Sequence, residues 1–458
     1  MFPNNRLHPK YLFKPAENVS MSRKEWIELG IGTAVVFFAL WLRLEYQATT
    51  LVDTPLRADA GQYFRIAWNI VNHGVFSMDY PGEAIPSPDS YRGPGFPLLI
   101  ASSLVLGGEG FYSHLMFTQA VLGALSVALT IALARIWLTP AYSIATGLLV
   151  AIWPHLIVMS GYVLTETLFG FTLMLGTYLL CSAKKNEKPY RYVLAGLVFA
   201  FSALVNPAIL LFPVLVCAGL FFTTRKSAVI FLLCSLLLPT AWSIRGSMLE
   251  TGRTTGGRLM ENVLAGMEPD FDYGDSAQAK AAKTRIFAGL KSSRENSLGE
   301  LNNIVDRLVQ EPAFYAKWYL VDKPQQFWQW SIVHGRGDIY VYPVVFSTYQ
   351  TNSFYRAMAS LCVGLNLPLM FAAFGFVLVF STRAARGKLQ DDDIPLAIVT
   401  VLFVYATVLH SILTPEPRYA IPFRPFEMLL AVSMVALAHQ YLRDRKQSDD
   451  QLTRTEPD

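Results

Sequence analysis

Five separated stretches carry the residues able to do chemistry in this chain. Asp59 lies in "RADAGQYFRIAWNIVNHG", Arg92 in "YRGPGFPLLIA" and Glu166 in "GYVLTETLFGF". Arg245 lies in "PTAWSIRGSM", and "TPEPRYAIPFRPFE" brings Glu416, Arg418, Tyr419, Arg424 and Glu427. A positioned carboxylate can take a proton from an attacking group. Arginines can bind a phosphate and stabilise charge that builds on it. Each residue also has a plainer reading. "DAGQ" fits a capping box, so Asp59 reads equally as a helix cap, with Phe64, Ala67, Ile70 and Val71 forming one stripe and Gly74 stopping the helix. Arg92 reads also as an interfacial arginine reaching for lipid phosphate. Glu166 reads also as an acid favoured by a helix macrodipole, and Arg424 with Glu427 as an i, i+3 pair.

Other catalytic patterns are missing. "TGRTTGGR" at 251–258 lacks the Walker lysine and reads as a flexible loop. The seven histidines show no HExxH or Cys/His metal spacing, so no metal site is expected and no cofactor is implied. His155 and His410 read as packed or capping residues within apolar runs. Cys181, Cys217, Cys234 and Cys362 fall inside apolar runs and read as small buried side chains.

The elements that must position these residues are membrane helices. Of 458 residues 53% are hydrophobic and 16% charged, with mean hydropathy +0.34; a soluble chain carries about 25% charged residues. The net charge of +4 is too small to imply a nucleic-acid partner. A span needs about 20 apolar residues. Candidates are 27–45, 113–137, 141–159, 163–182, 192–205, 207–223, 227–244, 356–381, 394–413 and 420–441. The run 192–223 is split at Asn206-Pro207, because the residue before a proline disfavours helix. One kinked helix is the rival reading.

Basic clusters test this count. The N-terminal tail, "KKNEKPYR" at 184–191, "RK" at 225–226, "RAARGK" at 383–388 and "RDRK" at 443–446 all fall on one side if there are ten spans with both termini cytoplasmic. The expected organisation is a cytoplasmic tail 1–26, then an N-terminal membrane domain 27–244 holding an extracytoplasmic loop 46–112. A helical extracytoplasmic region 245–355, C-terminal membrane helices 356–442 and a cytoplasmic tail 443–458 follow. Within 245–355, "SAQAKAAKTRIFAGLKSS" and "SLGELNNIVDRLVQEPAFYAKWYLV" read as surface helices, and "FWQW" at 327–330 suits a membrane interface. The fold class is therefore all-α and polytopic.

The order of these motifs resembles GT-C fold membrane glycosyltransferases of the ArnT/protein O-mannosyltransferase type (glycosyltransferase family 39-like). Asp59 and Tyr63 with "IAWNIVNHGVFS" behind them, "RGPGFPLLIA", "VLTETLF", "LVNPAILLFP" and "PRYAIPFRPF" carry the resemblance across nearly the whole membrane part. The family often carries Asp-Glu where this chain has Asp59-Ala60. The resemblance implies a polyprenyl-phosphate-linked sugar donor, an extracytoplasmic acceptor (protein, lipid or glycan) and an inverting mechanism with Asp59 as base. It implies Glu166 as a second catalytic residue, a sugar or acceptor ligand. It also implies Arg92, Arg245 and Arg418 as donor-phosphate contacts, Tyr63, Tyr419 and Arg424 as substrate contacts, and a bacterial inner-membrane location. The rival expectations are a lipid-linked glycan flippase or transporter, and a glycan polymerase or ligase. Acids and arginines confined to one face argue against transport.

Overall fold

The computed structural model describes residues 22–454, except 83–85, 187, 222, 250–254, 272–275 and 333–336. Most of the N-terminal tail and the first half of "TGRTTGGR" lie outside the described residues. The fold is all-α. Each of the ten expected stretches falls on helix: α1 (Arg23–Ala48), α4 (Phe111–Ala134), α5 (Pro140–Ile152) with α6 (Pro154–Val158), α7 (Glu166–Asn186), α8 (Pro189–Val205), α9 (Phe212–Leu220), α10 (Arg225–Ser247), α17 (Ser353–Ala385), α18 (Ile394–Ile412) and α20 (Arg424–Arg454). Between them lie α2 (Ala58–His73), α3 (Gly95–Gly107), α11 (Thr255–Gly266), α12 (Ala277–Glu295), α13 (Ser297–Gln310), α14 (Pro312–Lys317), α15 (Lys323–Trp328), α16 (Thr348–Thr351) and α19 (Pro417–Ala420).

Among the described residues, seven stretches are long and apolar enough to cross a membrane, α3 with α4 counting as one, or eight with the bent α5–α6 pair. The bend there is 58° and falls at Trp153-Pro154, where proline removes a helical donor. α8 and α9 are shorter apolar helices, parted at Asn206, whose side chain caps the turn by accepting from Ala208 N at 3.1 Å. The sequence does not mark α3 as a separate helix. α3 lies inside the first large loop and packs on α2, α4 and α8. Residues 255–258, read as loop, instead open α11.

α7, α18 and α20 are the inner helices of the bundle. Small residues allow close approach between helices in lipid. A Cβ at Gly147 would stand 2.3 Å from Ile131 Cγ1, and one at Gly196 2.6 Å from Phe231 O. At one end of the bundle the two large loops are tied together. A two-stranded antiparallel ribbon pairs β1 (Leu51–Val52) with β2 (Val344–Phe346), Leu51 opposite Phe346. Asp53 N donates to Pro343 O at 2.9 Å beside it. The ribbon closes over the end of the bundle where α2 starts.

Candidate active site

α2 begins under constraint. Ala58 takes φ 47°, a left-handed conformation that costs a non-glycine residue about 1–3 kcal/mol. Gly61 lets the preceding turn fold close, since a Cβ there would lie 2.6 Å from Leu56 O. The helix ends at Gly74, φ 68°, as the sequence suggests. The expected capping box does not form. Arg57 holds the N-cap position without a side-chain bond, and Asp59 sits inside the first turn. Both members of the expected box turn elsewhere, toward Arg92.

That arginine is the first half of the site. Arg92 Nη2 meets Asp59 Oδ1 at 2.6 Å. Its Nε and Nη2 donate to Gln62 Oε1 at 2.8 and 2.6 Å, and Nη1 donates to the Tyr63 hydroxyl at 3.3 Å. The guanidinium also stands 5.0 Å from the Tyr63 ring centroid. Arg92 reaches this place because "RGPG" lies hard against the end of α8. A Cβ on Gly93 would fall 2.2 Å from Leu204 O, and one on Gly95 2.6 Å from Val205 Cγ2.

The second half comes from the ends of two inner helices. Arg418, in the short α19 ahead of α20, places Nη1 3.3 Å from Asp59 Oδ2 and donates from Nε to Glu166 Oε1. Glu166 opens α7. Four side chains from four elements thus form one chain of alternating charge: Arg92, Asp59, Arg418, Glu166. Of these Asp59 is the most accessible, its side chain 29% exposed, whereas those of Arg92, Arg418 and Glu166 are largely buried. Glu166 Oε2 is buried without a hydrogen-bond partner, and Glu166 lines a cavity together with Arg43, Ser126 and Thr167.

Burial alone would raise the Asp59 carboxyl. The charges of Arg92, Arg418 and Arg258 outweigh burial and hold it well below the usual carboxylate range. Burial likewise opposes charge on Arg92, but Tyr63 and Asp59 more than offset it and push its guanidinium up. The site therefore presents an ionised carboxylate between fixed cations at neutral pH.

The remaining expected residues lie around this cluster. Arg245 is one layer behind. Its Nη1 donates to Asp89 O at 2.8 Å, and its guanidinium covers Trp242 at 4.7 Å. Asp89 in turn accepts from Met78 N and Tyr91 N, so Arg245 fastens the loop that delivers Arg92. Tyr419 stacks on His410 with centroids 5.5 Å apart, beside Arg418. Arg424 is not brought to Asp59. It is 1% exposed and donates to Asn366 Oδ1, Glu427 Oε2, Trp328 O and Gln329 O, pinning the "FWQW" segment to the bundle. His155 packs on Trp330 and bonds its carbonyl at 2.9 Å.

Sequence reading missed several neighbours. In the sequence Gln62 reads as a cap residue. Arg258 and Tyr342 come from the long loop, where spacing carries no site signal. Tyr342 faces Arg418, Asp59 and Glu166, and burial pushes its hydroxyl up to about 12. Lys323, in "VDKPQQFW", is fully buried, with Nζ 4.1 Å from the Tyr319 centroid and 3.4 Å from Ile412 O. A lysine in a polar-looking segment gave no hint of this. Among the described residues, no three His, Cys, Asp or Glu side chains gather to hold a metal ion.

No protein-family model matches the sequence, and no curated protein matches it. Solved structures do match. The oligosaccharyltransferase of Archaeoglobus fulgidus in its apo form aligns over 94% of this chain and 52% of that one, at 14% identity and TM-score 0.51. The same enzyme tethered to an acceptor peptide aligns over 92% and 50%, at 14% identity and TM-score 0.52. The chain has a GT-C fold, that of the membrane glycosyltransferases. It spans about half the length of the archaeal protein. ArnT from Cupriavidus metallidurans, bound to undecaprenyl phosphate, aligns over 91% of this chain and 61% of that one, at 13% identity and TM-score 0.47.

Proposed function

We propose that this protein is a membrane glycosyltransferase that moves a sugar from a polyprenyl-phosphate donor to an acceptor outside the cytoplasm. The observation that carries this reading is the Arg92–Asp59–Arg418–Glu166 chain, gathered by α2, the loop before α3, α7 and α19. The basic clusters on the opposite helix ends support a cytoplasmic placement for both termini and an extracytoplasmic site, as in a bacterial inner membrane. The archaeal oligosaccharyltransferase has been solved with a dolichol-phosphate, which suits a lipid-phosphate ligand for the shared fold.

In this reading the acceptor oxygen or nitrogen attacks the anomeric carbon as its proton passes to Asp59. The bond from that carbon to the phosphate oxygen breaks, and the polyprenyl phosphate leaves with the electron pair. Attack opposite the leaving group inverts the anomeric centre. Arg92 and Arg418 take the charge on the departing phosphate. Tyr63 steadies Arg92, Arg245 holds the loop behind it, and Tyr419 and Tyr342 flank Arg418. Glu166 orients Arg418 and presents a carboxylate oxygen to sugar or acceptor hydroxyls. Arg424 contributes by holding the bundle together beneath them.

A carboxylate held by two arginines is a weak base. Donor binding resolves this. A phosphate drawing on Arg92 and Arg418 loosens their hold on Asp59 and raises its basicity once the donor is present. Donor binding and base activation then become one event. The test is binding of polyprenyl phosphate to the purified protein in nanodiscs. Arg92→Ala and Arg418→Ala should each weaken it at least about tenfold, the scale of one lost charge-assisted contact. Unchanged affinity in both variants would remove the arginines from the donor site.

A further inference from the structure

The hairpin of α12 and α13 has a surface that neither the bundle nor the site uses. At 100° per residue, α13 divides into three arcs. The first packs inward: Glu300 is buried, Arg307 Nη2 meets Glu268 Oε1 at 2.8 Å, and Ile304 and Leu308 join the small cores around Leu264, Met267 and Trp318. The second arc is apolar and uncovered. Leu298, Leu301, Val305 and Val309 follow one another at spacings of three and four, each 47–75% exposed. The third arc, Asn302, Asp306 and Gln310, is exposed and polar. A helix lying free in water needs only an inner and an outer face. One with a protein face, an oily face and a wet face suits the boundary between lipid and water.

The neighbouring helix supplies charge. On α12, Lys280, Lys291 and Arg294 are exposed along one face with Phe287 among them. Basic side chains around a projecting aromatic match an anionic headgroup layer. The oily arc also leads toward the membrane part of the fold. α13 runs into α14 and the turn Trp318–Asp322, which packs with α15 on the membrane helix α18. Phe314, Leu320 and Val321 are exposed along that path.

We propose that the α12–α13 hairpin docks on the surface of an anionic membrane leaflet. Leu298, Leu301, Val305 and Val309 enter the headgroup–acyl boundary, and Lys280, Lys291 and Arg294 meet lipid phosphates. The docked hairpin would also fix one wall of the candidate site. α11 packs on α12, brings the charge of Arg258 to bear on Asp59, and carries Glu261, which accepts from the Tyr91 hydroxyl at 3.2 Å. Docking requires the chain's membrane character but no particular sugar chemistry, so its failure would leave the role of Asp59 untouched.

The test uses the full chain in nanodiscs of phosphatidylcholine with phosphatidylglycerol. Spin labels are placed singly by Leu301→Cys, Val305→Cys, Asp306→Cys and Gln310→Cys, with unsubstituted protein as the background for the native cysteines. The ratio of collisions with oxygen to collisions with a water-soluble nickel reagent should be several-fold higher at 301 and 305 than at 306 and 310. That difference should shrink in pure phosphatidylcholine, and also when Lys280, Lys291 and Arg294 are all changed to Gln. Equal nickel access at all four positions would overturn docking. So would protection of 301 and 305 from both reagents, which marks a protein partner or a second copy. A profile indifferent to lipid charge and to the triple substitution would overturn the anionic leaflet as the partner.

Discussion

Asp59 stays charged because three arginines face it, and that same neighbourhood restrains its ability to take a proton. The restraint has a kinetic signature. kcat/KM reports the free enzyme, and kcat reports the enzyme with substrate bound. In the free enzyme the depressed Asp59 value puts the acid limb of kcat/KM below the ordinary carboxylate range of about 4. With donor phosphate sharing Arg92 and Arg418, the acid limb of kcat should appear at higher pH. Coincident limbs would mean that the donor does not loosen the arginines. At this scale the sequence was informative in an uneven way. Charged residues are rare enough in an apolar chain for Asp59, Arg92, Glu166 and Arg418 to stand out, and the structure joins their side chains directly. Arg424 stood out for the same reason, yet its donors are consumed by backbone carbonyls, Asn366 and Glu427. Rarity marks an ionisable residue as having a partner; it does not say whether that partner is a ligand or the protein's own backbone.

At the level of elements, the loop that delivers Arg92 depends on glycines that let it touch α8. Gly93→Ala would press a methyl group onto Leu204 O. It should cost about 1–3 kcal/mol, the range for overpacking a tight contact, and slow turnover more than it lowers stability, because Arg92 moves with the loop. Gly30→Ala meets nothing within 4 Å in α1 and should leave both unchanged or slightly improved. Thermal unfolding and transfer rates on the two variants check this. Lys323 offers a second test. Burial pushes its ammonium down to about 7, against about 10.4 in an unfolded chain. Between those values the unfolded chain binds more protons, so stability should rise with pH across that window. Lys323→Met should flatten the rise; a slope identical to the unsubstituted protein would show that Lys323 is not its source. The helices themselves were legible, since long charge-free runs have few alternatives in lipid. α3 was hidden because Gly107 and Gly108 part it from α4 within one apolar region, and α11 because threonines and glycines read as loop.

Over the whole molecule, the two large loops act as one cap on the bundle. The β1–β2 ribbon joins residues nearly three hundred positions apart, and Arg57 covers the Tyr342 ring across the same junction. No local pattern in the sequence marks strands of two and three residues, so this closure was not legible. The GT-C fold was, because the order of motifs along ten apolar runs constrains the topology even where each motif is short. The lipid-facing bundle suits a donor whose tail stays in the membrane while its head group reacts at the Asp59 end. The most direct measurement is single-turnover transfer in nanodiscs from a panel of labelled polyprenyl-phosphate sugars, with and without Asp59→Asn. Release of polyprenyl phosphate by the unsubstituted protein, slowed at least about a hundredfold by Asp59→Asn with donor binding retained, is the predicted result. Turnover that survives the substitution would contradict the proposed base.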